Sequence, residues 1–375
     1  ADADNVYDDE AWTTFTQSNG LVYPSNGVDA MSFYNPTADT ITRYNAIANP
    51  SAPTVTQTGL TGTQYTYRYR ITANNEVGPS AASVAGQVSV LLDRESWNGT
   101  SQYVDVSWAA VSGASSYSIY IGTPNNLGQE ENLTTVSGTS YRDTGVDQIN
   151  TFSTAPSDNA TAGPKLKYLI DVNNQLFGTG DPDHPYYLWY SGQGPGSGKF
   201  TDFYGGGAVP INEGGDSVPI AVSSFRDGKG TPVITVQTKG QAGTGKLYHV
   251  AQQTGAVGSV QFTYYQVYEA NGQTGTNAPY GVVEANNNIY YPAGDAFKST
   301  GTQPNIVNIL ATNSITQAID PDVQGLNQSA MEKCVGLYHN NKIYWALPNG
   351  TSENSEIWYM DISRNNLWVL RWTLP

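Results

Sequence analysis

The chain has 375 residues, a formal charge of −15 from 17 Lys+Arg against 32 Asp+Glu, 11% aromatic residues and one cysteine. Low charge density with this many aromatics excludes a disordered polyelectrolyte, because there is enough apolar surface to offset the entropy of ordering the backbone. The acidic balance leaves no basic footprint for gripping phosphates, and Cys334 alone allows neither an intrachain disulfide nor a Cys/His cluster of zinc spacing. At roughly 100–200 residues per domain the length predicts two domains. With no run of about 18 apolar residues and no basic-then-apolar leader, the expectation is a chain made in a reducing cytosol that does not insert into a membrane.

In chain order, Asp2-Ala3-Asp4-Asn5 and Asp8-Asp9-Glu10 come first. They have the acid density of a calcium loop without its central Gly, and read as an exposed acidic terminus. Asn19-Gly20-Leu21-Val22-Tyr23 then opens a repeat that returns as Asn173-Asn174-Gln175-Leu176-Phe177, Asn286-Asn287-Asn288-Ile289-Tyr290 and Asn340-Asn341-Lys342-Ile343-Tyr344. Thr244-Gly245-Lys246-Leu247-Tyr248 is a weaker fifth copy. Asn-Gly and Asn-Asn tolerate the positive φ of a type I′ turn, and the aliphatic-aromatic pair starts the next strand. Strands are expected before most copies, at Tyr168–Val172, Tyr280–Val283 and Val335–Tyr338. Second turns are expected at Asn26-Gly27, Gly180-Asp181, Gly294-Asp295 and Asn349-Gly350. Strand, turn, strand, turn, strand is a meander. After a long first interval the copies recur at spacings near the ~40–50-residue periods of propeller blades, and the surplus in that first interval, roughly 100 residues, is the size of a small sandwich domain.

Between about Pro50 and Pro164 the composition turns to Ser, Thr, Val and Tyr with strong period-2 alternation, in Tyr65–Thr72, Val104–Trp108 and Tyr117–Ile121. Val106-Ser107-Trp108, Gly113-Ala114-Ser115-Ser116-Tyr117-Ser118-Ile119-Tyr120 and Thr139-Ser140-Tyr141-Arg142-Asp143-Thr144-Gly145 resemble strands B, C and E of a fibronectin type III domain. Tyr65-x-Tyr67-x-Tyr69-x-Ile71-Thr72-Ala73-Asn74 with Val77-Gly78-Pro79-Ser80 resembles strands F and G. In the family F and G come last, whereas here they precede B, C and E. Either the sandwich is circularly permuted, as suits a domain inserted in a host loop, or the first half only imitates F and G. The expected organisation is all-β: a β-propeller of five or six blades over 1–50 and 164–375, interrupted by a fibronectin-III-like sandwich over 51–163.

Motifs with a chemical look are few. Gly240-Gln241-Ala242-Gly243-Thr244-Gly245-Lys246 has P-loop spacing, but Leu247 stands where Ser or Thr would ligate magnesium, and a strand rather than a helix follows. Asp181-Pro182-Asp183-His184 and Asp320-Pro321-Asp322 are carboxylate pairs and equally good turn starters. His184, His249 and His339 show no metal-ligand spacing. No Gly-x-Ser-x-Gly elbow occurs, and Cys334 precedes a strand. Sequons at Asn98, Asn132, Asn159, Asn327 and Asn349 are expected by chance in so Asn- and Thr-rich a chain. Tyr186-Tyr187-x-Trp189-Tyr190 and Tyr264-Tyr265-x-x-Tyr268 either fill cores between sheets and subunits or line a sugar site. The expectation is no catalytic, cofactor-binding or metal-binding residue and no cofactor.

Asn173–Pro182, Trp189-Tyr190-Ser191-Gly192, Phe200-Thr201-Asp202-Phe203 and Ile211-Asn212-x-Gly214-Gly215-Asp216-x-Val218-x-Ile220 together resemble the β-propeller tail proteins of tailed bacteriophages. These include the nozzle proteins that close the tail of short-tailed phages. The likeness is one of pattern, over roughly 166–228 plus the repeats. It implies a non-enzymatic virion tail protein, assembled in the host cytoplasm into a homo-oligomeric ring, six-fold by preference. Adaptor and fibre proteins would bind it, and DNA would pass through without sequence-specific contact; net acidity lets DNA slide past walls of like charge. Two other classes stay open: a carbohydrate-binding adhesin or receptor-binding module, and a propeller glycoside hydrolase, which needs two carboxylates at hydrolytic separation.

Overall fold

The computed structural model describes residues 11–201, 204–212, 215, 217–227, 229–239, 245–257, 260–270, 275–294, 296–302, 310–316, 319–364 and 367–373. The chain is all-β, built from antiparallel sheets. It divides into two compact units, one of residues 1–29, 165–197 and 207–375, the other of residues 30–164 and 198–206. Among the described residues no helix is long and apolar enough to cross a membrane.

The first unit opens with the hairpin β1 (Thr14–Ser18) and β2 (Leu21–Ser25). The chain then enters the second unit, whose first hairpin is β3 (Ser32–Asn35) and β4 (Thr40–Arg43). Eight strands follow: β5 (Thr54–Thr58), β6 (Thr61–Asn74), β7 (Gly86–Val90), β8 (Tyr103–Ser107), β9 (Ser116–Gly122), β10 (Glu131–Val136), β11 (Ser140–Asp143) and β12 (Asn150–Thr154). They form a five-stranded sheet in the order β12-β10-β9-β6-β7 and a three-stranded sheet in the order β11-β8-β5. The alternation read in the sequence supplies the core: Tyr67, Tyr69 and Ile71 of β6 and Tyr117, Ile119 and Ile121 of β9 meet Val104 and Val106 of β8, with Trp97 and Trp108. Both sheets lie inside the expected span 51–163, whereas the compact unit is wider and includes β3, β4 and the distant residues 198–206.

Back in the first unit the chain runs through four meanders, each a four-stranded antiparallel sheet paired in sequence order. The first is β13 (Tyr168–Asp171), β14 (Gln175–Thr179), β15 (Tyr187–Gln193) and β16 (Gly207–Pro210). The second is β17 (Pro219–Arg226), β18 (Pro232–Thr238), β19 (Leu247–Val257) and β20 (Val260–Glu269). The third is β21 (Val283–Ala285), β22 (Asn288–Pro292), β23 (Phe297–Thr302) and β24 (Leu310–Ser314). The fourth is β25 (Val335–His339), β26 (Lys342–Leu347), β27 (Glu356–Asp361) and β28 (Leu367–Thr373).

Strand alternation places successive side chains on opposite faces, and the second and third meanders each feed a core on either side. Phe177 and Leu188 meet Val222, Ile234, Val236 and Val250 between the first and second meanders. Phe225 and Leu247 meet Ile289 and Tyr291 between the second and third. Tyr290 and Phe297 meet Ile343, Trp345, Trp358 and Met360 between the third and fourth. The first strands are neighbours in succession, β1 beside β13, β13 beside β17, β17 beside β21 and β21 beside β25.

The Asn pairs do what their chemistry predicts: Asn19 and Gly20, Asn173 and Asn174, Asn286 and Asn287, Asn340 and Asn341 all have φ between 46° and 78°. Two expectations differ from the structure. The fifth copy leads the third strand of its sheet, not the second; the matching turn, between β17 and β18, is built on Asp227, whose carboxylate accepts the N–H groups of Lys229 and Thr231 at 2.8 Å each. Such an Asx turn needs no Asn pair. Pro279–Gly281 is a 3₁₀ turn, so the strand expected from Tyr280 begins at Val283; Pro at the first helical position favours that turn.

Candidate functional site

The turns that end the first strands are the most organised polar feature of the first unit. A first strand has one hydrogen-bonding edge that its own sheet does not use, and such an edge invites pairing with another chain. Here the following sheet caps it. Thr16 Oγ1 donates to the carbonyl of Leu169 at 2.8 Å, and Ser18 Oγ donates to the Asp171 carboxylate while sharing a 2.7 Å hydrogen bond with Ser197. The N–H and hydroxyl of Ser224 on β17 both donate to the Glu284 carboxylate of β21. Burial pushes the Glu284 pKa up, and the Ser224 hydrogen bonds oppose that shift.

Side-chain amides then tie turn to turn. Asn19 N–H donates to Asn174 Oδ1 at 3.3 Å, and the Arg226 guanidinium donates to Asn173 Oδ1 at 3.2 Å. Arg226 and Asn287 exchange two hydrogen bonds, Arg226 N–H to Asn287 Oδ1 at 2.6 Å and Asn287 Nδ2 to the Arg226 carbonyl at 2.8 Å. The Tyr338 hydroxyl lies 3.2 Å from Asn286 Oδ1 and 3.1 Å from Asn341 Oδ1. One residue type thus serves twice: Asn accepts the left-handed backbone of its own turn, and its amide clasps the turn of the neighbouring meander.

Where the first strands begin, three rings meet. Trp12 stacks on Tyr280 with centroids 5.1 Å apart, and Tyr280 packs on Tyr168 at 5.4 Å. Trp12 is 47% exposed. Burial, aided by Glu332, pushes the Tyr280 pKa up to about 12, and its buried hydroxyl has no hydrogen-bond partner among the described residues.

The residues weighed for chemistry do not converge. Lys246 is ion-paired with Glu269 at 3.0 Å and leads into a strand; Gly240 to Thr244 lie outside the described residues, as do Asp2 to Glu10. The buried Asp181 accepts the Asp183 N–H at 3.1 Å, closing its own turn, and burial raises its pKa; Asp183 pairs with Lys165 at 3.1 Å. Asp320-Pro321-Asp322 opens the short helix α1 (Asp320–Gln324). Cys334 is wholly buried among apolar side chains, and burial pushes its thiol pKa far up, which suppresses the nucleophilic thiolate. Tyr190 and Tyr265 pack 4.5 Å apart against the core between the first and second meanders. Among the described residues no three His, Cys, Asp or Glu side chains are grouped to hold a metal ion.

The second unit carries a buried ionic lock that sequence reasoning missed. Arg94 donates to both oxygens of Asp143 at 2.9–3.1 Å and to the Asp147 carbonyl at 2.9 Å, and the Tyr69 hydroxyl donates to Asp143 at 2.8 Å. Arg94 and Asp143 are 49 residues apart, so no local pattern betrays the pair. A second lock brings Arg68 and Arg70 to the buried Glu130, each at 3.4 Å.

No protein-family model matches the sequence, and no curated protein matches it.

Proposed function

We propose that this chain is a structural subunit of a bacteriophage tail. Its meanders are blades of a β-propeller of five or six blades, beginning with β1–β2, and copies assemble into a nozzle-like ring, six-fold by preference. The ring closes or extends the DNA conduit and carries adaptor or fibre proteins. The observation that carries this reading is the succession of first strands, β1, β13, β17, β21 and β25, each beside the next with apolar cores between successive meanders; radial repetition of four-stranded sheets is the propeller pattern.

The inserted module is a circularly permuted fibronectin-III-like sandwich. Immunoglobulin-type sandwiches place strand B beside E in one sheet and C, F and G in the other. With β8, β9 and β11 as B, C and E, and β6 and β7 as F and G, the neighbours are B–E, C–F and F–G. A formal charge of −15 suits a wall past which DNA slides. Imaging of native assemblies tests the reading: rings with a hole of duplex width are expected, and particles without a channel contradict it.

The adhesin reading draws on one observation, the half-exposed Trp12 backed by Tyr280 and Tyr168, which offers a ring face to a pyranose. Glycan binding by the isolated chain, lost in Trp12→Ala, is its expected signature.

A further inference from the structure

The core between the second and third meanders holds polar side chains that the two sheets alone do not satisfy. Leu247 of β19 and Ile289 of β22 both belong to this core, and directly opposed residues of an antiparallel pair share a face. Gln237 on β18 lies opposite Leu247, and His249 stands two positions further along β19, so both turn to that core. From the other side Thr300 on β23, opposite Ile289, turns to it as well. All three are buried: Gln237 and Thr300 are 1% exposed and His249 4%. Yet the nitrogen and oxygen of the Gln237 amide, both ring nitrogens of His249 and the Thr300 hydroxyl have no hydrogen-bond partner among the described residues. A neighbour on the same face shows the contrast, since Thr235, opposite His249, shares a 2.7 Å hydrogen bond with Ser223. Unpaired buried polar atoms are costly because each has given up its hydrogen bonds to solvent, and native proteins carry few of them.

We propose that this core encloses a hydration site, in which ordered water molecules bridge Gln237 to His249 and reach Thr300. The chemistry of the groups selects the guest. A glutamine amide, a neutral imidazole and a threonine hydroxyl each donate and accept, so the guest must do both, as water does. None of the three carries a charge that would hold an ion: burial lowers the pKa of His249 and so keeps it neutral. Side chains at most 4% exposed shut out a larger guest. Geometry agrees. Gln237 and His249 are diagonal neighbours across β18 and β19, a relation of about 7–8 Å between positions that one bridging water closes. Tyr268 stacks on the face of the His249 ring with centroids 4.9 Å apart, which leaves the nitrogens at the ring edge for the water. In a core otherwise held by non-directional packing, these directional bonds fix how the two sheets face each other. The inference rests on two sheets sharing one core, and holds whether or not the chain serves a phage tail.

The test joins a crystal structure of the full chain, at a resolution that shows water, with the melting of two variants whose fold is confirmed by far-UV circular dichroism. In the wild type, density for water is expected within hydrogen-bond distance of the Gln237 amide and a His249 nitrogen. Gln237→Leu and Thr300→Val keep most of the side-chain bulk and remove a partner of the water. With water in place, Gln237→Leu deletes one bonded group and strands the others, so the melting temperature is expected to fall by roughly 2–8 °C, with a smaller fall in Thr300→Val. An amide that was simply unpaired behaves oppositely: exchanging it for an apolar side chain leaves melting unchanged or raises it, and that result overturns the proposal. A wild-type structure in which the three side chains bond only to protein atoms overturns it too. If Gln237→Leu fails to fold, the wild-type density decides alone.

Discussion

The two units solve the problem of a β-rich chain in opposite ways. The sandwich closes on itself: one core, two sheets and two buried ionic locks, Arg94–Asp143 and Glu130 with Arg68 and Arg70. The meander array is repetitive, its cores set between successive sheets and its turns tied by neutral amides. Buried ion pairs contribute little net stability but punish any change that leaves one charge alone, so they fix one arrangement. Amide clasps between like turns carry no charge to strand, so the same tie can recur from one sheet to the next.

Four perturbations break or sharpen that contrast. In the array, Trp345 is fully buried, its indole N–H donating to the Gly281 carbonyl at 2.8 Å. Trp345→Ala is expected to cost about 3–5 kcal/mol, read as a lower urea midpoint for the array transition with the sandwich transition unmoved. In the sandwich, Arg94→Ala strands Asp143 in the core and is expected to cost about 3–5 kcal/mol, whereas Arg94→Met with Asp143→Leu comes close to neutral; equal losses in both variants would refute the lock. Asn287→Gly keeps the left-handed turn but removes both Arg226 hydrogen bonds, an expected loss of about 1–2 kcal/mol. Asn287→Ala should lose more, because the alanine must also hold φ 62°.

The smallest effect is one of pH. All three histidines lie in the array unit and none in the sandwich unit. Burial holds the pKa of His249 below its ordinary 6.5. The unfolded chain therefore takes up the proton first, and the stability is full above about pH 6.5 and fades as pH falls through that value toward the lowered one. The melting temperature of the array should drop between about pH 7.5 and 5.5, with the slope flattened in His249→Phe. An unchanged slope in that variant would clear His249.

Much of this was legible in advance because it is local. Asn-Asn and Asn-Gly before an aliphatic-aromatic pair dictate a left-handed turn and the strand after it, and four of five copies sit at matching turns. The turn at Asp227 escaped because an Asx turn has no fixed sequence spacing to the repeat, and the strand expected from Tyr280 lost to the turn that Pro279 favours. The capping of first-strand edges by Glu284 and Asn287 joins residues about 60 apart, and the Trp12–Tyr280–Tyr168 stack draws on three separate segments. Period-2 alternation says which face of a strand is apolar. It does not say which partner covers that face, and so left the pairing of successive sheets through their cores unread.

The account stands or falls on the arrangement of copies, and single-particle images of the native assembly test it most directly. The account predicts a ring of several copies around a hole of duplex width, with the first strands of each copy side by side within that copy. A particle of one chain, or an assembly without such a hole, would contradict it.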